Sequence, residues 1–153
     1  MRKAMFLLAV FGLAGSLRAA DPIIGTWKLN VAKSKFSQAA PKEQTNIARE
    51  VGDQLEITIT GTQADGSLIS LKSTFPRQGG AGKIQQSTFS KPDLVVLTKL
   101  DPGDLCFTEL QNGKQVVIHR VVVSKDGKTA RQTDRGMDSQ GKPFEQITVF
   151  DRQ

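Results

Sequence analysis

Gly25-Thr26-Trp27-Lys28-Leu29 opens a long series of short strand patterns separated by turn signals. A Gly-x-Trp on the first strand of a small antiparallel β protein points to a barrel closed at one end by the indole. Such a closed end suits a binding protein better than an enzyme. The pentapeptide names no ligand.

Upstream of it, residues 1–20 read as a secretory leader. Arg2 and Lys3 form a positive start, Ala4 to Leu17 is uncharged and mostly apolar, and Ala19-Ala20 precedes Asp21-Pro22. About 14 apolar residues are too few to span ~30 Å of hydrocarbon as a helix, so stable membrane insertion is not expected. Cleavage after Ala20 places Arg18 where a small residue is preferred; cleavage after Ala19 or Ser16 and an uncleaved anchor are the alternatives. The expectation is a signal peptide at 1–20, one barrel domain at 21–153, and a periplasmic or secreted location.

Residues 21–153 suffice for one domain with a sizeable core. The whole chain carries +6, but 18 basic against 15 acidic residues remain once the leader is set aside, a net +3. No two cations are adjacent after residue 20, and Trp27 and six Phe are the only stacking aromatics. Nucleic-acid binding needs clustered cations interleaved with aromatics, so it is not expected. Cys106 is the sole cysteine, which rules out an internal disulfide and fits a half-buried small hydrophobe better than a nucleophile. One Cys and one His cannot build a structural zinc site, and no cofactor is expected.

Turn signals recur every 8–14 residues or so, among them Ala64-Asp65-Gly66, Asp101-Pro102-Gly103-Asp104, Asn112-Gly113 and Asp126-Gly127. That spacing marks short antiparallel strands. Leu55, Ile57 and Ile59 alternate with Glu56, Thr58 and Thr60, a period of two. About ten strands are predicted, near 23–30, 43–51, 54–61, 67–75, 83–90, 94–101, 105–111, 115–124, 129–136 and 144–152. Val31 to Pro41 reads as a short helix or a loop, and Gln78 to Gly82 as a flexible hairpin loop. The fold expected is all-β, a single antiparallel up-and-down β-barrel of about 8–10 strands, because closure removes exposed edges. A sandwich is the alternative.

The two ends of this pattern carry a resemblance. Gly25-Thr26-Trp27-Lys28-Leu29 and Thr148-Val149-Phe150-Asp151-Arg152 resemble the first and last strands of the calycins, the lipocalins and fatty-acid-binding proteins. Trp27-Lys28-Leu29-Asn30, Ala32-Lys33-Ser34-Lys35-Phe36 and Val122-Val123-Ser124-Lys125-Asp126-Gly127-Lys128-Thr129 are similar to exported bacterial lipocalin-like proteins of unassigned function. The resemblance implies a barrel that binds small hydrophobic or amphipathic molecules, with Arg152 stacked over Trp27 as a structural plug. The chain also departs from the pattern. Fatty-acid-binding proteins hold a carboxylate partly through Arg-x-Tyr on the last strand, where Thr148 and Phe150 stand here. The segment between Asn30 and Pro41 leaves no room for a helix-turn-helix lid.

No paired-carboxylate signature, Gly-x-Ser-x-Gly or phosphate-cradling glycine loop is present, so no catalytic residue is assigned. A protein partner, with the barrel acting as inhibitor of a secreted hydrolase, is the second function considered.

Turn chemistry selects candidate ligand-binding residues. Asn112-Gly113 is a strong two-residue hairpin signal. It pairs Gln111 with Lys114 and Glu109 with Val116, and further out Phe107 with Ile118 and Leu105 with Arg120. That face has the larger side chains and reads as interior. A three-residue loop Lys125-Asp126-Gly127 then sets Arg120 opposite Gln132 and leaves Arg131 and Arg135 in water. A two-residue Asp126-Gly127 loop would join Arg131 and Arg135 to Arg120's face, which conflicts with an interior. The expectation is therefore Arg120, Phe107 and Ile118 inside. Arg120 is then either paired with Glu109 and Asp134 or an anchor for the acidic or carbonyl end of a ligand; a slipped register with Arg120 outside remains.

Overall fold

The computed structural model describes residues 21–89, 91–138 and 140–153. The expected leader lies outside the described residues. Eleven strands form one antiparallel sheet: β1 (Gly25–Leu29), β2 (Glu43–Val51), β3 (Gln54–Thr62), β4 (Leu68–Pro76), β5 (Gly80–Ala81), β6 (Lys83–Ser87), β7 (Leu94–Asp101), β8 (Asp104–Gln111), β9 (Lys114–Val123), β10 (Thr129–Met137) and β11 (Pro143–Arg152). No α-helix occurs among the described residues; Val31–Lys33 is a single 3₁₀ turn, capped by the Asn30 side chain accepting from the Lys33 amide.

The sheet order runs β5-β7-β8-β9-β10-β11-β1-β2-β3-β4-β6. Its two ends, β5 and β6, are consecutive in the chain and separated only by Gly82. The ring therefore closes through one continuous segment that pairs first with β7 and then with β4. This is a nearly closed up-and-down barrel of ten strands at any level, because β5 and β6 are two stretches of one strand that crosses from one edge to the other. The glycine-rich stretch read as a plain loop contributes that strand. Gly82 is required at the crossing, since a Cβ there would stand 2.2 Å from the Phe75 ring.

Alternation along each strand assigns the two faces. Trp27, Ala48, Leu55, Phe75, Leu97, Leu105, Ala130 and Phe150 point inward and are buried near the end of the barrel where the chain enters. Here Trp27 is 2% exposed, and its Nε1–H donates to the Ile23 carbonyl at 2.8 Å. The Arg152 guanidinium lies 4.1 Å from the centre of the Trp27 ring. It also donates to the carbonyls of Gly127 (2.6 Å), Ile24 (2.8 Å) and Pro22 (2.5 Å). One cation thus ties the entering segment and the β9–β10 turn to the indole, and each of its three nitrogens donates to a backbone carbonyl rather than to a carboxylate.

The other half of the barrel is looser. Inward-facing Ile57, Ile59, Leu71, Phe107, Val117 and Phe144 are only half-buried. Eight strands give an interior that side chains just fill, and this ring has ten, several with small inward residues such as Gly61, Ser73 and Gly136. Apolar side chains meet across the barrel from Ala48, Leu55 and Phe75 to Leu97, Leu105 and Phe107, and the half-buried residues beyond them line the rest of the interior, the lumen.

Candidate functional site in the barrel lumen

The β8–β9 hairpin positions the site, and one residue decides its polarity. Asn112 (φ 51°) and Gly113 (φ 72°) form the two-residue turn expected of Asn-Gly, with Gln111 opposite Lys114 and Leu110 opposite Gln115. The register then shifts: Glu109 stands opposite Val117, and Val116 is the extra residue of a β-bulge. Its displaced carbonyl crowds β10, where a Cβ on Gly136 would come within 2.4 Å of it. Beyond the bulge, Phe107 faces His119 and Leu105 faces Val121.

This corrects the expected placement of Arg120 and Ile118. Leu105, Phe107 and Glu109 do point inward, but their neighbours on β9 are His119 and Val121, while Arg120 and Ile118 lie on the outer face. The next hairpin has the register of a two-residue loop, Val122 opposite Arg131 and Arg120 opposite Thr133. Arg120 does share a face with Arg131 and Arg135, and that face is the outside. The Arg120 side chain is 56% exposed and grips Asp104 with both Nε (3.0 Å) and Nη2 (2.7 Å). Arg135 pairs with Glu145 at 2.6 Å. These arginines border a shallow outer groove whose charges are largely answered by neighbouring carboxylates. An exposed ion pair contributes little, so Arg120→Met is expected to leave both the denaturant midpoint and lumen binding nearly unchanged, as urea titration and dye binding would show.

Inside, His119 is the centre of a hydrogen-bonded cluster built by three adjacent strands and completed by a fourth. Its Nδ1 meets Asp134 at 2.8 Å and its Nε2 meets Glu109 at 3.2 Å. Asp134 also accepts from Gln132 Nε2 (2.8 Å) and Gln146 Nε2 (2.8 Å). Burial alone would lower the imidazole's affinity for its proton. The hydrogen bonds and charges of Asp134 and Glu109 outweigh it and raise the His119 pKa from 6.5 to about 9. Burial likewise opposes ionisation of Asp134, yet the His119 contact and the two amides hold its carboxyl below the ordinary 3.8. At neutral pH His119 is an imidazolium that donates from both nitrogens. It has no lone pair for a metal, and it is already committed to two acceptors.

The His119 side chain is 27% exposed, and since it points inward that surface belongs to the lumen. Asp134 is 3% exposed. The site thus joins a buried carboxylate, an imidazolium and a second carboxylate, with Phe107 opposite His119 and Val117 opposite Glu109 on the same inner face. Phe107, an expected ligand contact, packs edge-on against Phe75 with ring centres 5.1 Å apart. His119 was not selected by the hairpin argument. Gly136, a glycine inside a strand, is the sequence feature that could have pointed to a nearby bulge, but not to which face of β9 turns inward.

No protein-family model matches the sequence, and no curated protein sequence matches it either. Among solved structures, the chain is similar to zebrafish ileal bile acid-binding protein crystallised with cholic acid: TM-score 0.55, 12% identity, 86% of this chain and 99% of the other. It also matches lobster apocrustacyanin A1 (TM-score 0.47, 16% identity, 88% of this chain and 62% of that one). A third match is the siderocalin Ex-FABP (TM-score 0.45, 11% identity, 86% and 71%). The likeness at 12% identity is one of fold alone, an all-β, antiparallel and nearly closed barrel.

Proposed function

We propose that this chain is an exported barrel that binds a small amphipathic molecule in its lumen. The observation that carries the proposal is the polar cluster of His119, Asp134, Glu109, Gln132 and Gln146 inside a barrel whose other inward positions are mostly apolar and whose far end is plugged by Trp27. A polar group on an apolar wall is what orients an amphipathic guest in a concave site. The zebrafish protein of similar fold was solved in complex with cholic acid, itself amphipathic, which supports a ligand-binding use of this fold. The leader pattern at 1–20 and the resemblance to exported bacterial lipocalin-like proteins support export.

One measurement addresses both parts. Native mass spectrometry of the protein from its own periplasm should give a chain beginning between Leu17 and Asp21, with a non-covalent small-molecule adduct released on denaturation. An intact Met1 on exported protein would refute the leader assignment. A bare chain that also fails to bind a neutral apolar dye would refute the lumen.

A further inference from the structure

Donors and acceptors are unequally available in the open half of the lumen. His119 spends both N–H groups on carboxylates. Asp134 is ionised and can only accept, so Gln132 and Gln146 must turn their NH2 groups toward it and their amide oxygens away. Glu109 uses Oε1 on His119, and its Oε2 has no protein donor among the described residues. Every described side-chain N or O sealed from solvent has a partner, so Oε2 is open to the lumen. Lys114, opposite Gln111 at the β8–β9 turn, is in the inward register at the mouth but exposed, and no hydrogen bond or ion pair among the described residues joins it to Glu109; Lys99 sits at the plugged end paired with Asp21. One imidazolium set between two carboxylates leaves the cluster with a net negative charge.

We propose that the lumen takes amphipathic ligands with a cationic head, a protonated alkylamine whose ammonium donates to Glu109 Oε2 and whose chain lies against Ile59, Leu71, Phe107 and Val117. This rests on the lumen-binding reading above and names its ligand class. An ammonium leaving water needs a charged acceptor not already engaged, and Glu109 is the one the lumen supplies. A carboxylate head in the same place would face two carboxylates, with the imidazolium's donors already taken. Fatty-acid-like ligands are therefore disfavoured by charge, independently of the missing Arg-x-Tyr.

The test is a matched twelve-carbon series of dodecylammonium, dodecanol and dodecanoate. Each displaces the neutral dye N-phenyl-1-naphthylamine at pH 7 and 0.15 M salt, below the concentration at which it aggregates. Dodecylammonium is expected to bind at least about tenfold more tightly than dodecanoate. Glu109→Gln should abolish that preference and change dodecanol by no more than about threefold, with circular dichroism checking that the variant is folded. Dodecanoate binding as tightly as the amine overturns the proposal, as does a preference that survives Glu109→Gln. Should the variant fail to fold, the wild-type order alone decides. If dodecanol and the dye also fail to bind, the lumen reading itself falls, which the uncharged probe separates from a wrong head group.

Discussion

Trp27→Ala is expected to cost ~3–5 kcal/mol of stability, the range for removing a buried large aromatic. The indole is 2% exposed and packs on Ala130 and Phe150, with Leu29, Val121 and Val123 around them. Alanine leaves a cavity that the barrel wall cannot collapse into, because its backbone is held on both sides by strand ladders. Two further contacts are lost: the Nε1 hydrogen bond to Ile23 and the surface over which Arg152 stacks, worth ~0.5–2 kcal/mol. Trp27→Phe keeps much of the apolar volume and should fall between wild type and alanine. Trp27 is the single tryptophan, so the alanine variant is followed by far-ultraviolet circular dichroism in urea rather than by fluorescence. A midpoint that barely moves would mean that the closed end does not depend on the indole.

The second large effect is on the pH dependence of folding. His119 binds its proton more tightly folded, with a pKa of about 9, than unfolded, where 6.5 is ordinary. Its stabilising contribution is fully present below pH 6.5 and is lost as pH rises from there to about 9, where the folded protein also deprotonates. The scale is on the order of 3 kcal/mol for the full shift. On the acid side, Asp134 is held below 3.8 when folded, so its contribution is present above that value and is lost as pH falls through its depressed pKa. These are two views of one ion pair and do not add. Stability should be greatest between roughly pH 4 and 6.5 and decline toward pH 9. His119→Gln should flatten the decline between pH 6.5 and 9, measured as urea midpoints across buffers. A slope that persists in that variant would assign it to another group.

Much of the architecture was legible in the residues. Strong alternation in Leu55–Thr60, turn dipeptides at regular spacing and the Gly-x-Trp opening led to a single antiparallel barrel, and the strand positions differ from those observed by one to three residues at most ends. The crossing strand at Gly80–Ala81 was not legible, because two residues of glycine-rich chain carry no periodicity; only the proximity of the β7 and β4 edges makes them a strand.

The lumen was harder to read than the wall. The sequence alone determined that the β8 face bearing Leu105, Phe107 and Glu109 turns inward, and that Asn112-Gly113 makes the turn. Only the tertiary structure decided which residue of β9 meets Glu109 and Asp134. Val116 to Val123 is apolar at six of eight positions, so its own pattern does not say which face is buried. Side chains alternate with a period of two, and the one unpaired residue at Val116 therefore exchanges the inner and outer sets. That exchange puts His119 in the lumen and Arg120 in water. The bulge is held by the approach of Val116 to Gly136 on a strand twenty residues away, a contact between distant parts of the chain that no local pattern contains.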